Sequence, residues 1–172
     1  INEIKTNIDA LKSFLTVYEN PTIFYTGHMA LSNFAEYFNL NIRALEESVN
    51  PGIDVTSDEV NRFVKELKDN NIKYLFTEEL KPLTTAYAIE EILGYKLNLK
   101  ELHGYHSVSQ EDFNNSISYN DLLERNIKNI KEATVLDLMQ VKGINKELAE
   151  KIYNYYNGEN NDWYNSFWFG RN

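Results

Sequence analysis

The chain has 172 residues and no cysteine, which excludes disulfides and thiolate metal ligands and suits one domain with a small appendage. A formal net charge of −9 argues against broad electrostatic attraction to nucleic acid or to an anionic membrane, and its plainest reading is solubility. No apolar run approaches the roughly 18 residues of a membrane span, and no signal peptide or lipid-attachment cysteine is visible.

Ile1, Ile4, Ile8, Leu11 and Leu15 form one stripe of a helix over residues 2–18, which Asn20 and Pro21 end. The chain enters this pattern directly, without an initiator methionine, and so leads us to expect an upstream part. Thr22–Thr26 reads as a buried strand, and Ala30–Phe38 as an amphipathic helix. Residues 41–45 give a second strand, followed by a loop through Pro51 and Gly52. Thr56 and Glu59 have capping-box spacing ahead of a helix that carries Val60, Phe63, Val64 and Leu67. Strand three is residues 72–77, and the next helix is residues 84–93, stopped by Gly94. Strand four is residues 96–102. A polar loop over residues 103–118 then leads to a helix from Tyr119 to about Lys131.

Strands thus alternate with helices of about ten to fifteen residues, the pattern of βαβ units. The expected fold is α/β. A long N-terminal helix precedes a Rossmann-like lobe with a four-stranded, mostly parallel sheet flanked by helices, and a small C-terminal helical hairpin follows. The expected divisions are a linking helix at 1–20, an α/β lobe at 21–132, a hairpin segment at 133–156 and an aromatic, Asn-rich tail at 157–172. That tail, with Trp163, Phe167, Trp168 and Phe169, is expected to be loosely ordered.

A parallel arrangement places all strand carboxyl ends on one edge, where open α/β sheets bind ligands. There the chemistry collects. His28 follows strand one, Glu78 and Glu79 follow strand three, and His103 and His106 follow strand four. Neutral imidazoles with a carboxylate suit Zn²⁺ better than magnesium or calcium. Each has a plainer alternative. His28 could be a histidine satisfied at a helix start, Glu78 a carboxylate at a helix N-terminus or one holding a ligating imidazole, and His103 and His106 solvated loop residues. No nucleophile elbow, P-loop or dinucleotide fingerprint is present, so no enzymatic activity is expected.

The run from Phe24 through Gly27, His28, Met29 and Ala30 to Ala35 resembles the histidine-bearing strand–helix junction of the metal-binding lipoproteins of zinc and manganese ABC transporters. Ile72–Leu80 looks like their next strand and its glutamate. Glu101–Phe113 resembles a loop of some zinc-type members, and Ser118–Asn126 the start of their last helix. The resemblance covers about residues 1–132. It implies a linking helix and the carboxyl-terminal lobe of a solute-binding protein, an extracytoplasmic location, an ABC permease as partner and a divalent metal as cargo. By the same resemblance His28 is a metal ligand and favours zinc over Mn²⁺, with Glu78, His103 and His106 as candidates for the remaining coordination. An amino-terminal lobe would give two further ligands. The acidic ligand often found before the last helix falls near Ile117, which cannot coordinate.

Leu138–Tyr153 resembles a helix-hairpin-helix motif, closest to that of bacterial excision-repair nucleases, whose backbone N–H groups bind DNA phosphates. Lys142, Gly143, Asn145 and Lys146 would form the contact, with Asn145 in place of the second hairpin glycine. The segment is not a basic patch, so a structural helical hairpin is the competing reading. A third reading is a folded scaffold with neither activity.

Overall fold

A computed structural model describes residues 2–16, 21–46, 55–138, 147–149 and 151. Four parallel strands, β1 (Thr22–His28), β2 (Asn41–Glu46), β3 (Tyr74–Glu78) and β4 (Asn98–Leu102), lie in the order β2-β1-β3-β4. The helices are α1 (Asn2–Leu15), α2 (Ser32–Phe38), α3 (Ser57–Asp69), α4 (Thr84–Leu93), α5 (Gln110–Asn114) and α6 (Tyr119–Leu138).

Side chains on a strand alternate between faces, and the alternation here feeds two cores. Ile23 and Tyr25 of β1, with Tyr74 and Phe76 of β3, face a layer built on Leu11 and Phe14 of α1, Phe38 of α2, and Leu123, Ile127 and Ile130 of α6. Phe24 and Leu75 face the opposite way, onto Phe63, Val64 and Leu67 of α3 and Ala86, Ile89 and Leu93 of α4. Both central strands are therefore covered on both faces, which is why they read as near-continuous apolar runs.

Local sequence sets the ends of these elements. The Thr56 hydroxyl accepts the Glu59 N–H, and the Glu59 carboxylate accepts the Thr56 N–H at 2.7 Å, so the capping box is complete. Gly94 ends α4 at φ 74°, a left-handed conformation that favours glycine. Just beyond it, buried Glu90 accepts from Leu97 N–H at 2.8 Å and from Lys96 Nζ at 2.6 Å, pinning the turn into β4.

Three differences from the sequence reading bear on the site and its surroundings, beside shifts of one to three residues at other element ends. β1 runs on past Thr26 through Gly27 to His28, so the histidine is the strand's last residue and not two residues beyond its end. The expected loop 103–118 contains a short helix, α5, whose first turn is capped by the Ser109 hydroxyl accepting from Asp112 N–H at 2.9 Å. α6 continues past Lys131 to Leu138. The expected hairpin residues Lys142, Gly143, Asn145 and Lys146, and the aromatic tail, lie outside the described residues.

Phe76→Ala removes a fully buried ring from the centre of the sheet. It should cost about 3–5 kcal/mol in a denaturant titration. Glu90 gives a pH-dependent counterpart. Burial pushes its carboxyl up, but the Lys96 ammonium and the Leu97 N–H outweigh this and hold it below the ordinary glutamate value of 4.5. A carboxyl depressed in the fold adds stability above its unfolded pKa and loses it as pH falls through the folded value. The stability gap between wild type and Glu90→Gln should therefore be widest near neutrality and close as pH falls below the ordinary glutamate value of 4.5, as followed by thermal unfolding across pH.

Candidate metal centre

The strand order creates the site. β1 leads outward to β2 on one side, while β3 leads outward to β4 on the other. The crevice beyond the carboxyl ends of β1 and β3 is thus the topological switch point, where open α/β sheets bind ligands. His28 and Glu78 are the last residues of those two strands.

They are joined directly. His28 Nδ1 and Glu78 Oε1 are 2.9 Å apart, and both side chains are largely buried. A β-bulge aims His28 there. Between Tyr25 and His28 the strand advances three residues while its partner β2 advances two, from Ala44 to Glu46. Gly27 sits in the bulge against the Tyr25 ring, and a Cβ on Gly27 would lie 2.4 Å from the Tyr25 hydroxyl oxygen. Glu46, at the end of β2, is the register partner of His28.

His106 joins from the β4 side. Its ring lies 6.0 Å from the His28 ring, centroid to centroid, at 29°. Gly104 leaves room for it, since a Cβ there would lie 3.2 Å from His106 Cδ2 and 3.4 Å from both Glu79 carboxylate oxygens. His103 is placed differently. It is 2 % exposed, accepts Tyr105 N–H on Nδ1 at 2.9 Å, and lines a neighbouring polar pocket with Glu79, Glu101, Asp112 and Arg125. Asp112 in that pocket is held below the usual carboxylate range by its hydrogen bonds with Arg125. The structure thus gathers His28, Glu78 and His106, and sets His103 in the layer behind. Among the described residues, no three His, Asp or Glu side chains form a group that could hold a metal ion on its own.

The electrostatics of the edge are acidic. The Tyr25 hydroxyl is buried without a hydrogen-bond partner among the described residues. Burial, and then the charges of Glu78, Glu79, Glu46 and Glu101, push its ionisation far up, so it stays a neutral phenol. Sequence reasoning missed Glu46, which sits at a strand end as Glu78 does, and Asn126, which lies inside a helix with no local signal.

The model of the family described as zinc-uptake complex component A periplasmic, ZnuA, matches residues 2–133. The chain belongs to this family. Its match ends at residue 133 and does not reach Leu138–Tyr153, and the resemblance to excision-repair nucleases expected there is not shown. No curated protein sequence matches the chain. Among solved structures, the Zn(II)-bound ZnuA-like domain of Streptococcus pneumoniae AdcA is similar at 20% identity and a TM-score of 0.57, over 76% of this chain and 47% of that one. The periplasmic zinc binding protein TroA from Treponema pallidum gives 12% and 0.63, over 77% and 48%. A manganese-bound periplasmic metal binding protein from Candidatus Liberibacter asiaticus gives 17% and 0.59, over 75% and 47%. At these identities the likeness shows the fold, and the chain spans about half the length of each of these three proteins.

Gly27→Ala should force the buried Tyr25 ring to move and cost about 1–3 kcal/mol by overpacking. Chemical denaturation measures the loss, and an unchanged midpoint would mean that the bulge can absorb a methyl group.

Proposed function

We propose that this chain is the cation-binding lobe of the substrate-binding component of a metal-uptake ABC transporter. Its cargo is a divalent transition metal, zinc ahead of manganese, and His28 is its surest ligand. It acts by binding and release, not by catalysis, outside the cytoplasm and with a permease as partner. Membership of the zinc-uptake family supports the reading. So do zinc- and manganese-bound proteins among those that share the fold. No described helix is long and apolar enough to cross a membrane.

The observation that carries the proposal is the His28–Glu78 contact. A carboxylate accepting the Nδ1 proton of a neutral imidazole leaves the Nε2 lone pair as the metal donor. It also fixes the ring's orientation. Glu78 thereby serves as the carboxylate that holds the ligating imidazole. His106, stacked beside His28, supplies a second imidazole near the same point. Imidazole-rich, thiolate-free coordination favours zinc. The rest of the coordination comes from a second lobe, in keeping with the half-length coverage of the similar proteins.

Zinc affinity, read by competition with a chromophoric chelator, tests this. Glu78→Gln keeps the side chain's shape but loses the carboxylate, and should weaken zinc roughly ten-fold. His28→Ala should weaken it at least as much. Equal zinc affinity in wild type and His28→Ala would sink the assignment.

A further inference from the structure

The segment that follows β4 carries two of the chain's three histidines. Three side chains take up its backbone N–H groups. His103 N–H donates to Asn126 Oδ1 at 2.8 Å. Gly104 N–H donates to Glu79 Oε2 at 2.8 Å. Tyr105 N–H donates to His103 Nδ1 at 2.9 Å.

Asn126 does more than accept. Its Nδ2 donates to the His103 carbonyl at 2.9 Å and to the Tyr105 hydroxyl at 2.9 Å. One amide thus holds both main-chain polar groups of His103, as a neighbouring strand would, and anchors the ring two residues on. Its orientation is fixed, because a backbone N–H only donates and a carbonyl only accepts. Asn126 is fully buried in α6, a helix of 20 residues packed on α1 and β4, so the grip comes from a rigid element.

The grip reaches the metal edge through the turn. Tyr105 has φ 64°, a left-handed conformation that an aromatic residue keeps only where its surroundings hold it. Its ring also stacks on Tyr119 at 4.7 Å. The next residue is His106, whose ring stands beside His28.

We propose that Asn126 is a positioning residue for metal capture: by fixing the His103–Tyr105 turn it sets the His106 imidazole beside His28. The proposal rests on the cation-binding reading of His28. Asn126 works through the turn and is not itself a ligand. A purely structural amide would weaken the fold but would act alike whether or not residue 106 is a histidine.

The test is a double-mutant cycle on the full chain, with zinc affinity as the readout. Asn126→Ala and His106→Ala should each weaken zinc roughly ten-fold, and the double variant should be no weaker than His106→Ala. In proton NMR of the metal-free chain, the cross-relaxation between the His28 and His106 ring protons should vanish in Asn126→Ala. If that variant does not fold, Asn126→Asp takes its place, keeping the shape and the Oδ1 acceptor while losing both Nδ2 hydrogens.

Unchanged zinc affinity in the folded variant, a loss that adds fully to that of His106→Ala, or a His106→Ala chain that binds as wild type would each overturn the proposal. So would unfolding of both Asn126 variants at room temperature, which would leave the amide a structural role alone. His28→Ala binding zinc as wild type would instead strike the metal reading. The ring-to-ring signal would then still decide whether Asn126 positions His106.

Discussion

The parallel pairing of β1 with β3 is the contact on which the rest of the molecule depends. Tyr25 and Phe76 stand opposite each other in it, and both are fully buried. The pair is covered by α1, α2 and α6 on one face and by α3 and α4 on the other. It is also the place where the strand order reverses direction. The connections from β1 and β3 leave its carboxyl end in opposite directions, so the burial that stabilises the centre of the sheet and the crevice at its end share one cause. The His28–Glu78 contact continues the same pairing beyond the ladder, with a polar bond in place of the backbone ones.

The sequence made the framework legible where local rules decide it. The α4 span and its Gly94 stop emerged as read, because a helix period and a left-handed cap are local signals. The capping box of α3 is local in the same way. The strands emerged as apolar runs because both of their faces are covered. Strand ends then put His28 and Glu78 on one edge before any packing was known. The continuation of β1 to His28 was not legible. A glycine followed by a histidine reads as a strand stop, and only the pairing with β2 turns it into a bulge. Nor was α5 legible, since five residues carry too little periodicity to rise above a polar loop.

The site itself was legible as a set of residues but not as a set of roles. His28 entered as the expected ligand, with Glu78, His103 and His106 as candidates for the remaining coordination, and the fold gives each a different place. Glu78 takes the Nδ1 side of His28, His106 stacks beside it, and His103 spends its own Nδ1 on the backbone. These distinctions rest on contacts between distant parts of the chain. Asn126 is 23 residues from His103 and sits inside α6, where an asparagine reads as an ordinary polar position. Glu79 read only as a strand-end carboxylate beside Glu78, yet it is buried and fastened to the turn at Gly104.

Two residues in left-handed backbone, Leu80 and Tyr105, flank that Glu79–Gly104 bond, one on each partner segment. Backbone strain of this kind persists only where surrounding contacts over-determine it. Here those contacts belong to the same edge that gathers Glu46, Glu78, Glu79 and Glu101 around a neutral Tyr25 hydroxyl. Like charges drawn together at a crevice repel one another and attract a cation, and low-dielectric walls strengthen both effects. On the proposed cation-binding reading, a divalent ion arriving at this acidic edge would meet the imidazoles that stand beside the bulge, the Glu78 carboxylate and the buried turn.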